Sequence, residues 1–301
     1  MSGILPGVET PHIALVTCAA LPELDDDERL LIAPLEAHGA RVTPAVWDDP
    51  MIDWARFDLA IVRSAWDYTG RRAEFVEWAR RVPRLANPAA VIAWNTDKRY
   101  LAELAAAGIP TVPTTWLAPA DPISLPAGGT VVVKPSVGAG SFGAERFDLD
   151  DEPQARHARD HAAGLQAAGQ VVMVQPYIQT VDSYGEAGLV MLRGEYSHAI
   201  TKGAMLGGPR EAVAGLYKSE TIERRQASSA ELELAGAVLD VLPWPASTLL
   251  YARVDMLRDH EGRPILIELE LTEPSLFVTH APGAAQRFAA AVMAHLGLPG
   301  A

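Results

Sequence analysis

The chain has 301 residues, 49% of them hydrophobic and 21% charged, which is enough apolar side chain for two or three domains with real cores. Its 25 Lys+Arg stand against 38 Asp+Glu, a net charge of −13 that repels nucleic acid and anionic membrane. A phosphate ligand must then be held by a few locally placed cations and backbone N–H groups. A lone cysteine, Cys18, excludes an intramolecular disulfide and a thiolate metal cluster. No apolar run reaches the roughly 18 residues of a membrane span, and Met1–Gly7 lacks the pattern of a secretory signal, so the expected location is the cytoplasm.

In chain order, His12–Thr17, Arg41–Trp47 and Asp58–Arg63 read as strands. A helical stretch from Asp25 to His38 and a helix over Tyr68–Arg81 alternate with them, which implies a parallel, doubly wound sheet. Such a sheet binds ligands beyond the carboxyl ends of its strands, where Thr17-Cys18 and Arg63-Ser64-Ala65-Trp66-Asp67-Tyr68 stand. No GxGxxG follows the first strand, so the dinucleotide fingerprint is missing.

From Asn95 the texture changes. Thr96 is expected to cap a helix to Ala107, closed by Gly108 and followed by a linker at Pro110 and Pro113. Thr130–Pro135 (TVVVKP) is a β-branched strand leading into the Gly-rich Ser136–Gly143 and a returning strand, Ala144–Phe147. Asp151–Ala168 reads as a helix and Val171–Ile178 as a buried strand. Gly188–Arg193 pairs with Glu195–Thr201, and Gly203–Lys218 is a loop long enough to be a functional flap. Ser228–Leu242 reads as a helix, Thr248–Arg258 and Pro264–Leu271 as a second antiparallel pair, and Ala284–Leu296 as the last helix. The last two-thirds is therefore α+β.

Three features carry chemistry. Lys134 ends a buried-type strand beside glycines that let backbone N–H groups approach phosphate, although a mobile hairpin tip with a surface lysine fits the same pattern. Glu268 and Glu270, two apart in ILIELEL, share one strand face opposite Ile265, Ile267, Leu269 and Leu271. Two such carboxylates repel unless a cation lies between them. Asp255, across the hairpin, can complete a cage of hard oxygen ligands of the kind Mg²⁺ prefers. Arg253 shares the face of Asp255 and suits an anionic substrate or transition state, with a salt bridge to Glu268 or Glu270 as the equal alternative.

In this order the features resemble the ATP-grasp superfamily of carboxylate–amine ligases. The resemblance spans the whole chain and implies a doubly wound α/β domain (1–108), a small lid with the Gly-rich loop (109–175) and an antiparallel-sheet ATP lobe (176–301). It assigns Lys98 and Lys134 to the ATP phosphates, the Gly-rich loop with Ser141 and Gly143 to closure over them, Gln175-Pro176-Tyr177-Ile178 to adenine, and Asp182 or Glu186 to the ribose. Asp255, Glu268 and Glu270 match the Mg²⁺ carboxylates, although many relatives carry Asn where Glu270 stands. Arg253 matches the cation that steadies an acyl phosphate, and Lys202 a basic residue that reaches the γ-phosphate.

RSAWDY, NTDKRYL, QPYI, GEYSHAITKGA and ELELTEPSLF resemble, more narrowly, a glutathione-synthetase-like subgroup that includes D-cycloserine synthetase. That implies ATP-dependent ring closure of O-ureido-D-serine in antibiotic biosynthesis. Peptide-type ligation of two substrates, or a nucleotide-binding regulator without catalysis, are the alternatives. The implied co-substrate is ATP, with one or two Mg²⁺ (or Mn²⁺), an amino-acid-like substrate and homo-oligomers. Arg63, Ser64, Trp66, Tyr68, Thr272 and Ser275 are the candidate substrate residues, with interdomain packing an equal reading for Trp66 and Tyr68.

Overall fold

The computed structural model describes residues 10–203, 212–213, 217–218 and 221–298. A parallel sheet opens the chain, with strands β1 (His12–Thr17), β2 (Arg41–Val46), β3 (Leu59–Ser64) and β4 (Leu85–Ala86) in the order β2-β1-β3-β4. Both of its faces are covered, which is why β1 and β3 read as unbroken apolar runs. One face packs on helices α2 (Ile32–Ala37) and α9 (Ala284–His295) through Leu35, Phe288 and Val292; the other packs on α3 (Arg72–Arg81) through Phe75 and Trp78.

A second sheet has the order β5-β8-β6-β7, from Thr115–Leu117, Thr130–Pro135, Glu145–Asp148 and Val172–Pro176 (β5 to β8 in chain order). Val131 and Val133 bury against Ala155, Ala158 and Ala162 of α6 (Glu152–Ala167). The two-residue strand period then turns Val132 and Lys134 to the other face. The third sheet, β13-β10-β9-β14-β15, contains β9 (Glu186–Leu192), β10 (Glu195–Lys202), β13 (Ile222–Arg225), β14 (Tyr251–Arg258) and β15 (Pro264–Glu270). Ala212–Val213 (β11) and Tyr217–Lys218 (β12) form a short antiparallel ribbon, and the rest of the expected flap lies outside the described residues. Among the described residues no helix is long and apolar enough to cross a membrane.

Several boundaries differ from expectation for identifiable reasons. The stretch from Asp25 splits into α1 (Asp26–Arg29) and α2, because Pro34 has no N–H to give the Leu30 carbonyl. Thr96 ends a helix rather than starting one: α4 (Ala89–Asn95) precedes it, and its Oγ1 donates to the Ile92 carbonyl. The following α5 (Tyr100–Ala106) begins only after Lys98. The expected Tyr68–Arg81 helix shortens to α3, with a 3₁₀ turn over Trp66–Gly70 in front of it. In α8 (Ser229–Asp240), Ser228 and Glu231 form a reciprocal capping box. Ser228→Ala is expected to lower stability by about 1 kcal/mol in urea denaturation without moving activity.

Candidate active site

A cavity of ≈ 500 Å³ opens where the three sheets meet. The second sheet contributes Val132, Lys134 and the loop from Gly138 to Phe142; the third contributes Lys202, Arg253, Glu268 and Glu270; the first contributes Trp66 and Tyr68 from beyond β3. The link Gln175–Ile178 forms an edge, and a loop containing Glu273, Ser275 and Phe277 closes one side.

The charged floor follows from strand register. Arg253 lies opposite Glu270, and Asp255 opposite Glu268, so the four side chains form one patch across β14 and β15. A bulge after Asp255 puts Met256 opposite Leu266 and leaves Ile267 extra. Ile267 therefore lines the cavity beside Glu268 instead of facing away from it as expected. Gly188 sits across from Asp255 on β9, and a Cβ there would meet Asp255 Oδ1 at 3.1 Å and Ile200 at 3.0 Å. Gly188→Ala is expected to cost about 1–3 kcal/mol and to lower turnover by shifting Asp255 and Arg253, which denaturation and phosphate-release assays would report.

Cations and acids are closely matched here. Arg253 Nε donates to Asp255 at 2.9 and 3.1 Å, its Nη2 bonds Glu270, and its Nη1 reaches the Ser275 carbonyl at 2.9 Å. Lys202 Nζ lies 2.8 Å from Asp255 and also pairs with Glu186. Lys98 Nζ is 3.0 Å from Glu268. Burial pushes the Asp255 carboxyl up, but Arg253 and Lys202 outweigh it and hold it at about 2. Burial lifts Glu270 to about 8, with Glu268 and Asp255 adding to the rise against Arg253. Burial works against the Lys98 charge, and the glutamates Glu268, Glu270 and Glu273 reverse the effect to leave its pKa raised. Lys134 is lowered by burial, with Lys98 and Lys202 as like-charged neighbours. Among the described residues its Nζ makes no ion pair and no hydrogen bond.

Most of the residues singled out from sequence meet in this cavity: Lys98, Lys134, Ser141, Gln175, Pro176, Tyr177, Ile178, Glu186, Lys202, Arg253, Glu268, Glu270, Trp66, Tyr68 and Ser275. Six lie elsewhere. Arg63 is wholly buried, stacked 4.1 Å above the Tyr251 ring and donating to the Pro274 carbonyl, because its strand is covered on both faces. Ser64 is buried and accepts from the Asp25 N–H. Thr272 is buried and donates to Asn95. Asp182 is exposed and accepts from the Tyr177 hydroxyl at 2.6 Å. Gly143 stands behind the loop at φ 72°, where a side chain would press on Pro135. Asp255 lies beneath Arg253 and Lys202, outside the cavity lining.

The three-carboxylate cage is thus not assembled: among the described residues no three His, Cys, Asp or Glu side chains converge as a metal cluster. Glu268 and Glu270 do face the cavity as adjacent hard-oxygen donors, the kind of ligand a divalent ion takes. The pair fits such an ion.

Sequence reading missed the side chains that fix this floor. Asn95 donates to the Leu269 carbonyl and accepts from the Leu271 N–H, both at 2.7 Å. The Tyr100 hydroxyl donates to the same Leu269 carbonyl at 2.7 Å and accepts its N–H at 2.9 Å. Asn95 therefore holds the backbone on both sides of Glu270, and Tyr100 holds it on the Leu269 side. A buried amide at the end of the apolar run AAVIAWN was the available signal. Tyr100→Phe takes the hydroxyl from the buried Leu269 N–H while the carbonyl keeps Asn95, and is expected to cost about 1–3 kcal/mol, measurable in urea. Glu273, buried and lining the cavity, was also passed over.

Comparison with known proteins shows the family and the fold. Residues 13–87 match the family model described as the N-terminal domain of D-cycloserine synthetase DcsG. The cycloserine biosynthesis protein DcsG of Streptomyces lavendulae is 36% identical over 94% of this chain and 98% of its own. The crystal structure of D-cycloserine synthetase DcsG superposes with a TM-score of 0.82 at 35% identity, covering 95% of this chain and 99% of that one. D-alanine–D-alanine ligase from Bacillus anthracis shares the fold alone, at a TM-score of 0.64 and 15% identity over 95% and 97% of the two chains. The mixed parallel and antiparallel sheets are the ATP-grasp architecture, and the chain is an ATP-dependent ligase that forms C–N bonds. It belongs to the DcsG family of ATP-grasp carboxylate–amine ligases.

Proposed function

We propose that this ligase closes a ring within one amino-acid-like molecule, converting O-ureido-D-serine to D-cycloserine at the expense of ATP. The observation that carries the nucleotide part is Lys134, a cavity lysine with no ion pair among the described residues. A half-buried ammonium in a cavity without a paired counter-ion is costly, and a phosphate group would supply one. Similarity to D-cycloserine synthetase carries the substrate part.

Adenine lies against Val132, Ile178 and Leu257, with the Gln175–Ile178 backbone at its edge. Lys98 and Lys134 hold the phosphates, and the loop from Gly138 to Phe142 closes over them to exclude water. A divalent ion held by Glu268 and Glu270 would neutralise charge on the transferred phosphoryl group. The substrate carboxylate attacks the γ-phosphorus, ADP leaves, and an acyl phosphate forms. The oxygen-bound nitrogen of the same molecule then attacks the acyl carbon, and phosphate leaves. The ureido carbonyl and its terminal amine are absent from the ring product, so that carbamoyl group departs by hydrolysis. Arg253 stabilises the oxyanion of the tetrahedral centre, and Lys202 keeps Asp255 and Glu186 neutralised beside it. Both reacting groups belong to one molecule, so positioning replaces a second substrate pocket.

The test is Mg²⁺-dependent phosphate release from ATP, with products read by mass spectrometry. O-ureido-D-serine, its L-enantiomer, and amino acids alone and in pairs serve as substrates. Stimulation by O-ureido-D-serine alone, with a cyclised product, is expected. Stimulation only by pairs would replace ring closure with peptide-type ligation.

A further inference from the structure

We propose that Glu273, backed by the Tyr68 hydroxyl, is the counter-ion for the α-ammonium group of the substrate. The inference rests on the amino-acid ligase reading above. An α-amino acid brings two charges into the cavity. Its carboxylate, the group to be phosphorylated, belongs with the cations, and its ammonium needs an acid of its own.

The other acids around the cavity are already engaged. Glu268 pairs with Lys98, Glu270 and Asp255 with Arg253, and Glu186 with Lys202. Asp27 accepts the Val278 and Thr279 N–H groups at 3.0 and 2.8 Å, Asp26 pairs with Arg29, and Asp25 caps α1. Glu273 differs from all of these. It lines the cavity at 8% exposure, and the hydrogen bond its carboxyl accepts comes from a neutral phenol, Tyr68.

Its position is also fixed. Trp66 Nε1 donates to the Glu273 carbonyl at 3.0 Å, and the Tyr68 ring stacks on Phe75 at 4.8 Å. Glu273 stands between Glu270 and Ser275, the two residues that Arg253 bridges, which puts an acid next to the cation assigned to the reacting carboxyl. Burial raises its pKa to about 7 against the pull of Tyr68 and Lys98, the mark of a carboxyl short of positive charge. In sequence Glu273 stands three residues after Glu270. Only the turn that brings it back beneath Trp66 and Tyr68 separates it from the metal face.

Calorimetric titration of the Mg²⁺·ADP-loaded protein tests the assignment. The ligands are O-ureido-D-serine and the analogue with hydrogen in place of its α-amine. The wild type is expected to prefer the amine by about tenfold or more. Glu273→Gln should reduce the preference to less than about threefold with Mg²⁺·ADP affinity unchanged, and Glu273→Asp should restore part of it. A wild type without preference, a preference that survives Glu273→Gln, or Mg²⁺·ADP affinity that falls in step with it would each overturn the proposal. Because binding is the readout, amine preference that depends on Glu273 without any ring product would leave the ammonium site standing and remove the cyclase reading.

Discussion

Glu268→Gln is expected to reduce ATP-dependent turnover by about 1,000-fold while the protein stays folded. The substitution keeps shape and one oxygen donor but removes the charge. It takes from Lys98 its partner at 3.0 Å and from the cavity one of the two acids suited to a divalent ion. Glu270→Asn provides the contrast. Its oxygen can still ligate, and the carboxyl it replaces is already raised to about 8, so the expected loss is about tenfold or less. Mg²⁺ titrations of phosphate release measure both. Unchanged activity in Glu268→Gln would remove the metal assignment. Equal losses in the two variants would show that charge, rather than an oxygen ligand, is what position 270 supplies.

Arg63→Ala carries the largest expected stability cost, about 3–5 kcal/mol. Arg63 is wholly buried, its cation lies on the Tyr251 ring, and it donates to the Pro274 carbonyl beside the active-site loop. Among the described residues its acidic partner is Glu28, 3.5 Å away, and both Arg63 Nη2 and Glu28 Oε1 lack a hydrogen-bond partner there. The pair is therefore loose. Burial dominates and raises Glu28 from 4.5 to about 7 despite Arg63. A carboxyl whose folded pKa is raised binds protons that the unfolded chain has released, so its contribution is complete below about 4.5 and is lost as pH rises through 7. Without Arg63 the carboxyl is still less able to ionise, so the deficit should widen as pH rises through about 7, where the wild-type carboxyl ionises and the variant's does not. Urea denaturation of Arg63→Ala and of Arg63→Met with Glu28→Leu checks this. The double variant should recover most of the loss and flatten the pH dependence. A pH-independent deficit would refute the role given to Glu28.

Much of the fold was legible in local pattern. β1 and β3 carry the apolar runs Ile13–Val16 and Leu59–Val62 because helices cover both faces of their sheet, and the alternation in TVVVKP turned Lys134 away from α6. Glu268 and Glu270 shared a face because strand side chains repeat every second residue, and that face does line the cavity. These are short-range facts, carried by neighbours in the chain.

What tertiary structure alone decided is the partner of each charge. The bulge after Asp255 exposed Ile267 to the cavity, and the cross-strand register set Arg253 against Glu270 while Lys202 arrived from another strand to cover Asp255. Arg63 stands at a strand end, as a ligand-binding residue would, yet that end is roofed by Tyr251 and the loop at Pro274. Asn95 reaches β15 across 174 positions of sequence, and Trp66 reaches Glu273 across 207. Composition and periodicity place an acid or a cation on a face. Whether it meets a counter-ion, a backbone carbonyl or an open cavity depends on segments far away in the chain, and that choice settles its charge and its chemistry.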